Sequence, residues 1–223
     1  MSSTHRLARE EICRVGKSLF DRGYVHATAG NISMRVDDGF LITPTDACLG
    51  FLDPARLALL DAAGLQLSGD KASKTITLHR RIYAAITAFD ANVRCIIHTH
   101  STHCVQLTLK DDCAEELLPG LTPYFVMKVG RVPVVPYHRP GDPAAAEAVG
   151  ALIERYGNQE IALRAVMLAR LGPNVWHKSP AAAMAVLEEL EETARLMVLC
   201  AEPPRPLSEM QINELRQAFS ARW

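Results

Sequence analysis

Two apolar-containing runs near the N-terminus, Ile32-Ser33-Met34-Arg35-Val36 and Phe40-Leu41-Ile42, are separated only by Asp37-Asp38-Gly39. Joining parallel strands takes a crossover of a dozen or more residues, so a three-residue, Gly-containing connection dictates an antiparallel hairpin. Any sheet this chain builds is therefore at least partly antiparallel. The hairpin also brings two polar segments to one end, because Gly30-Asn31 leads into its first strand and Thr43-Pro44-Thr45 leaves its second. Glycine lets the backbone approach a ligand closely, while Asn, Ser and Thr supply hydrogen bonds.

Helical periodicities alternate with short strand-like runs along the rest of the chain. Ala8, Ile12, Val15 and Leu19 predict an amphipathic helix over residues 6–20, stopped at Asp21-Arg22-Gly23. Ile76, Leu78, Ile82, Tyr83 and Ile86 predict a second helix reaching Phe89, with Ser73 as its N-cap and Lys74 beside it. Such an N-terminus is either a plain cap or an anion site. Further helices are expected over 102–110, over 144–155 behind Asp142, over 180–199 with Pro at its first turn, and from Ser208 to about Arg222. The acidic run Glu188, Glu189, Glu191, Glu192 reads as a solvated face of the helix over 180–199. The residues from Asp111 to Pro119 read as loop. Val132–Tyr137, Ala165–Ala169 and Asn174–Trp176 read as strands. With no repeat or linker, residues 1–223 form one α/β domain.

The strand most relevant to chemistry is Cys95-Ile96-Ile97-His98-Thr99-His100-Ser101. Residues two apart on a strand share a face, so His98 and His100 project side by side, as a metal-binding pair would. Spacing alone does not separate a ligand pair from an incidental one. Lys+Arg of 24 against Asp+Glu of 25 offers no polybasic surface for nucleic acid or membrane. The polar start lacks a signal-peptide core, and no apolar run is long enough to span a bilayer. The six cysteines form no C-x-x-C pair and read as reduced thiols of a cytoplasmic protein.

Taken together, Ala29-Gly30-Asn31-Ile32-Ser33, Thr43-Pro44-Thr45, Ser73-Lys74, His98-Thr99-His100-Ser101, Pro136-Tyr137 and Leu168–Pro173 occur in the order seen in the class II aldolase/adducin family. The chain resembles most closely its 3-oxo-tetronate 4-phosphate decarboxylase branch. Leu121–Met127, Tyr137–Asp142 and Leu187–Ala194 carry that closer likeness. The resemblance implies a three-layer α/β/α domain around a central mixed, largely antiparallel sheet. It also implies a homotetramer with active sites between subunits, one Zn²⁺ per subunit and a small phosphorylated keto acid as substrate. Carried over residue by residue, His98 and His100 are zinc ligands. Gly30, Asn31, Thr43, Thr45, Ser73 and Lys74 hold the substrate phosphate, and Tyr137 reaches toward substrate.

Two positions depart from the family pattern. Leu171 stands where a third zinc histidine is expected, and Thr75 where the catalytic carboxylate is expected. Leucine cannot ligate a metal, and threonine is no base near neutral pH. His79, His103, His138 and His177 are the candidates for a substitute ligand. An aldolase needs a carboxylate to move its proton. A β-keto acid decarboxylase generates the enediolate by losing CO2, so Thr75 at the catalytic position is less damaging to it. The expected activity is therefore metal-assisted decarboxylation of 3-oxo-tetronate 4-phosphate to dihydroxyacetone phosphate. A fuculose- or ribulose-phosphate type aldolase and a non-catalytic binding member are the alternatives.

Overall fold

The computed structural model describes residues 3–110 and 114–223. Part of the acidic loop expected after Lys110, residues 111–113, lies outside the described residues.

One eight-stranded sheet organises the chain. Its strands are β1 (Asn31–Val36), β2 (Gly39–Ile42), β3 (Ala58–Asp61), β4 (Gln66–Ser68), β5 (Cys95–His98), β6 (Val134–Val135), β7 (Ala165–Leu168) and β8 (Gly172–His177). They lie in the order β4-β3-β2-β1-β5-β8-β7-β6, and every neighbouring pair is antiparallel except β6–β7. The hairpin expected from Asp37-Asp38-Gly39 is β1–β2, with Val36 opposite Gly39.

The helices are α1 (Ser3–Asp21), α2 (Ile76–Ile86), α3 (Thr102–Lys110), α4 (Pro143–Gly157), α5 (Pro180–Leu199) and α6 (Glu209–Phe219). Helices α1, α3 and α5 cover one face of the sheet, over Ile32, Leu41, Cys95, Ile97 and Val175. Helices α2 and α4 cover the other, over Ile96, Val166 and Trp176. The strand alternation Cys95, Ile96, Ile97 thus sends side chains into two separate cores, which is why β5 is apolar up to His98. Ile96 and Ile97 are fully buried, each contributing about 1.5–3 kcal/mol of transfer free energy. The mixed, largely antiparallel three-layer architecture agrees with the sequence expectation.

Two local features differ from that expectation, at Ser73 and at Glu191. Ser73 is not the N-cap of α2; Thr75 holds that position, with no side-chain cap bond, and Ser73 Oγ instead accepts from the Thr75 N–H at 3.4 Å. Leu121–Met127 leads into a wide turn at Phe125–Val129, closed by Gly130 N–H donating to the Phe125 carbonyl at 2.9 Å. Glu191 leaves the solvated acidic face altogether. It is 7% exposed, because α5 packs beside α3 and presents its carboxylate to the start of that helix. Its three neighbours in the acidic run behave otherwise: Glu188 pairs with Arg22, Glu189 meets Thr122, and Glu192 pairs with the exposed Arg195.

Candidate active site at the end of the central strands

His98 is the last residue of β5, between β1 on one side and β8 on the other. Asn31 is its partner in β1 and Asn174 its partner in β8. Directly paired residues share a face, so Asn31, His98 and Asn174 form one polar row across three strands, under α2. All three are buried. His79 of α2 lies above this row, with its Nδ1 2.8 Å from Ser33 Oγ. Ser33 Oγ in turn lies 3.1 Å from Tyr83 Oη, which donates to the carbonyls of Ser33 and Arg94.

Among the described residues several polar atoms near His98 have no hydrogen-bond partner: Asn31 Oδ1, both side-chain polar atoms of Asn174, and His79 Nε2. Leaving such a group unpaired in a core costs about 1–3 kcal/mol. Their grouping around one residue marks this end of the sheet as a place where a polar ligand finds ready partners.

The histidines are held neutral. His98 is pushed down to about 3 by burial and by His100, against a backbone hydrogen bond from Nδ1 to the Pro173 carbonyl at 3.0 Å. That bond places the proton on Nδ1 and leaves Nε2 as the lone-pair nitrogen, the form a metal ligand requires. His79 is also pushed to about 3, by burial and then by His98. His100, half-buried, is lowered by burial and by His26. The His98 and His100 rings are 5.2 Å apart between centroids, at 68°.

The polar loops meet at this end. Thr45 N–H donates to the Lys71 carbonyl at 2.9 Å, and Ser73 N–H to the Thr43 carbonyl at 3.2 Å. Thr75 Oγ1 accepts from Asn31 Nδ2 at 3.2 Å and from Ser73 Oγ at 3.3 Å. A chain of side chains therefore runs Ser73–Thr75–Asn31 into the His98 row. Gly30 has φ +85, and a Cβ there would stand 2.8 Å from the His98 carbonyl, so this turn must be glycine for β1 to start against β5. Lys74 is exposed.

Tyr137 is not brought to the histidines of its own chain. It follows β6, at the matching end of the sheet but three strands from β5, a separation of about 14 Å at ordinary strand spacing. It is 60% exposed.

Among the described residues none of the four proposed substitute ligands completes a three-donor group with His98 and His100. His103 Nδ1 is 2.8 Å from Glu191 Oε1. His177 pairs with Cys95, at the far end of β5. His79 Nδ1 is engaged by Ser33 while its Nε2 has no partner among the described residues, and His138 lies on the loop beyond β6. Leu171 packs with the apolar cluster under α2 and α4. Among the described residues no three His, Cys, Asp or Glu side chains already converge on a metal position.

Residue-by-residue reading of the sequence missed His26, whose ring lies 6.4 Å from that of His100. It also missed Asn174 and Glu191. The available signal for His26 was its place just ahead of Gly30-Asn31, once that segment is known to pair with His98.

Comparison with known proteins agrees with this architecture. A 3-oxo-tetronate 4-phosphate decarboxylase of Cupriavidus necator is 50% identical over 99% of this chain and all of its own. The protein of that name from Escherichia coli is 42% identical over 93% of this chain and 94% of its own. The crystal structure of YgbL from Escherichia coli superposes with a TM-score of 0.83 at 38% identity, covering 96% of this chain and all of that one. L-fuculose-1-phosphate aldolase from Thermus thermophilus superposes with a TM-score of 0.72 at 26% identity, over 86% of this chain and 93% of that one. Residues 10–198 match the model of the class II aldolase and adducin N-terminal domain, and the chain belongs to that family.

Proposed function

We propose that this protein is a 3-oxo-tetronate 4-phosphate decarboxylase, releasing CO2 and forming dihydroxyacetone phosphate. The observation that carries the reading is the 50% identity, over nearly the whole chain, to a protein of that name. The chemistry of the site supports it. In a 3-oxo acid the bond to the carboxylate breaks and its electron pair passes into an enediolate, with negative charge gathering on the keto oxygen. No C–H bond is broken, so Thr75 at the α2 N-cap position is compatible with the reaction, whereas an aldolase needs a carboxylate there.

His98 and His100 would hold the divalent ion on which this family generally depends, and we assign it as Zn²⁺. Bound there, it supplies positive charge at the keto oxygen. Burial keeps His98 unprotonated, and the Pro173 carbonyl fixes its ring. Asn31 and Asn174, with their unpaired amide atoms, orient the polar end of the substrate. Gly30, Asn31, Thr43, Thr45, Ser73 and Lys74 form the phosphate end. Tyr137, too far from its own histidines, serves a neighbouring subunit of a homotetramer, where it or water returns a proton to carbon. Among the described residues no helix is long and apolar enough to cross a membrane, and we place the enzyme in the cytoplasm.

The test is CO2 release from 3-oxo-tetronate 4-phosphate by the purified protein, with and without added Zn²⁺. Turnover that disappears in His98→Ala is expected. Absence of CO2 under both conditions refutes the activity, and retro-aldol cleavage of fuculose 1-phosphate in its place reassigns it.

A further inference from the structure

At the opposite end of β5 from His98, a cavity of about 520 Å³ opens between the strand ends, the turn at Phe125–Val129 and the chain that follows α6. Its polar lining includes Asp90, Asn92, Arg164, His177, Ser220 and Arg222. His177 ends β8 opposite Cys95, the first residue of β5, so it stands about 10 Å along the strand from His98 at ordinary strand rise. A cavity of this size accommodates a small molecule.

The charges around it do not balance. Arg164 and Arg222 line the same space, and Asp90 is the one carboxylate among its lining residues. Neither arginine is ion-paired with a carboxylate among the described residues. Arg164 Nη1 donates to the carbonyls of Met127 at 3.3 Å and Lys128 at 2.9 Å, which fixes the guanidinium and leaves its Nη2 and Nε without a hydrogen-bond partner among the described residues. Burial lowers the Arg164 pKa, and Arg222 lowers it further against the pull of Asp90. His177 is lowered by burial and then by Arg164, with Lys178 and Lys128 adding to it, so its imidazole is neutral. Its Nδ1 accepts from the Lys178 N–H at 2.8 Å. The ring proton therefore sits on Nε2, a donor with no protein acceptor among the described residues.

We infer that Arg164, Arg222 and His177 form a second anion site, remote from the reacting centre, that takes the phosphate group of a small ligand. Two guanidinium groups held close to one another in a partly buried site are stabilised by an anion between them. A phosphate dianion offers the charge and the several acceptor oxygens that these donors lack. The inference does not depend on the reaction proposed above.

The experiment titrates inorganic phosphate and, separately, glycerol 3-phosphate into the full-length protein by calorimetry. The double variant Ser73→Ala/Lys74→Ala silences the phosphate end of the proposed active site and is expected to keep one site per chain. Adding Arg222→Glu and His177→Gln in that background should weaken the remaining site at least about tenfold. Arg222 is exposed, and a carboxylate in its place faces Arg164, so the fold is expected to survive, as circular dichroism would verify. Tighter binding of the ester names a phosphorylated metabolite as the occupant, and tighter binding of inorganic phosphate names the free ion; either supports the site. No binding once Ser73 and Lys74 are replaced, or an affinity unmoved by Arg222→Glu and His177→Gln, overturns it and leaves the decarboxylase reading standing.

Discussion

The carboxylate of Glu191 provides the sharpest test of how this site is held. Helix α3 begins two residues after His100, and its first N–H groups have no intrahelical partner. The residue placed to cap it, Ser101, has its hydroxyl 2.6 Å from Thr99 Oγ1. Glu191 takes over from α5. Its Oε1 accepts from the His103 N–H at 3.0 Å and lies 2.8 Å from His103 Nδ1, and its Oε2 accepts from the Cys104 N–H at 3.1 Å. In Glu191→Ala the partly exposed imidazole finds water. The two backbone N–H groups do not regain a protein partner, at about 1–3 kcal/mol each, and the favourable charge at the helix N-terminus is lost as well. The expected loss is about 3–5 kcal/mol. Glu191→Gln keeps an acceptor but no charge, and should lose about 1–2 kcal/mol. Equilibrium urea denaturation at one protein concentration measures both, since assembly makes apparent stability concentration-dependent. Because α3 fixes the residues directly after His100, kcat should fall in the same order. A loss below about 1 kcal/mol in Glu191→Ala refutes the capping argument.

Two further outcomes follow from the geometry. A Cβ at Gly172 would stand 1.9 Å from the Thr99 carbonyl oxygen, at φ +143, so Gly172→Ala must push β8 from the end of β5. It should cost more than about 3 kcal/mol and abolish metal binding, and a normally stable, metal-binding variant would contradict this. His79 has its folded pKa lowered to about 3 from an ordinary 6.5, so between those values the unfolded chain binds the extra proton. Its contribution is complete above about pH 6.5 and drains away as pH falls toward 3, with a slope of at most about 1.4 kcal/mol per pH unit. His98 acts in the same direction. Urea midpoints of the metal-free protein between pH 7 and 4.5 should fall less steeply for His79→Asn, and equal slopes would rule out that burial cost.

Much of this protein was legible in local sequence. The short turn at Asp37-Asp38-Gly39 required antiparallel pairing, the 3.6-residue periodicities located the helices, and Asp142 and Ser208 marked two of their starts. Strands β3 and β4 were not legible. Every residue of β4 is exposed, so it has no buried face to imprint an alternation. Glu191 was misread because helical periodicity reports which face is apolar, while a single buried carboxylate answers to a neighbouring helix end.

The sequence by itself determined the residue types at the site: a His-x-His pair ending an apolar strand, polar segments flanking a hairpin, and a leucine and a threonine where the family resemblance implies a histidine and a carboxylate. Only the tertiary structure decided which of these meet. Sheet order placed Asn31 and Asn174 on either side of His98, carried Tyr137 three strands away, and turned His103 toward Glu191. It also set His26 beside His100. Local pattern specifies the face and spacing of a side chain within its own element, whereas contact between elements depends on strand order and register, which long-range pairing alone fixes.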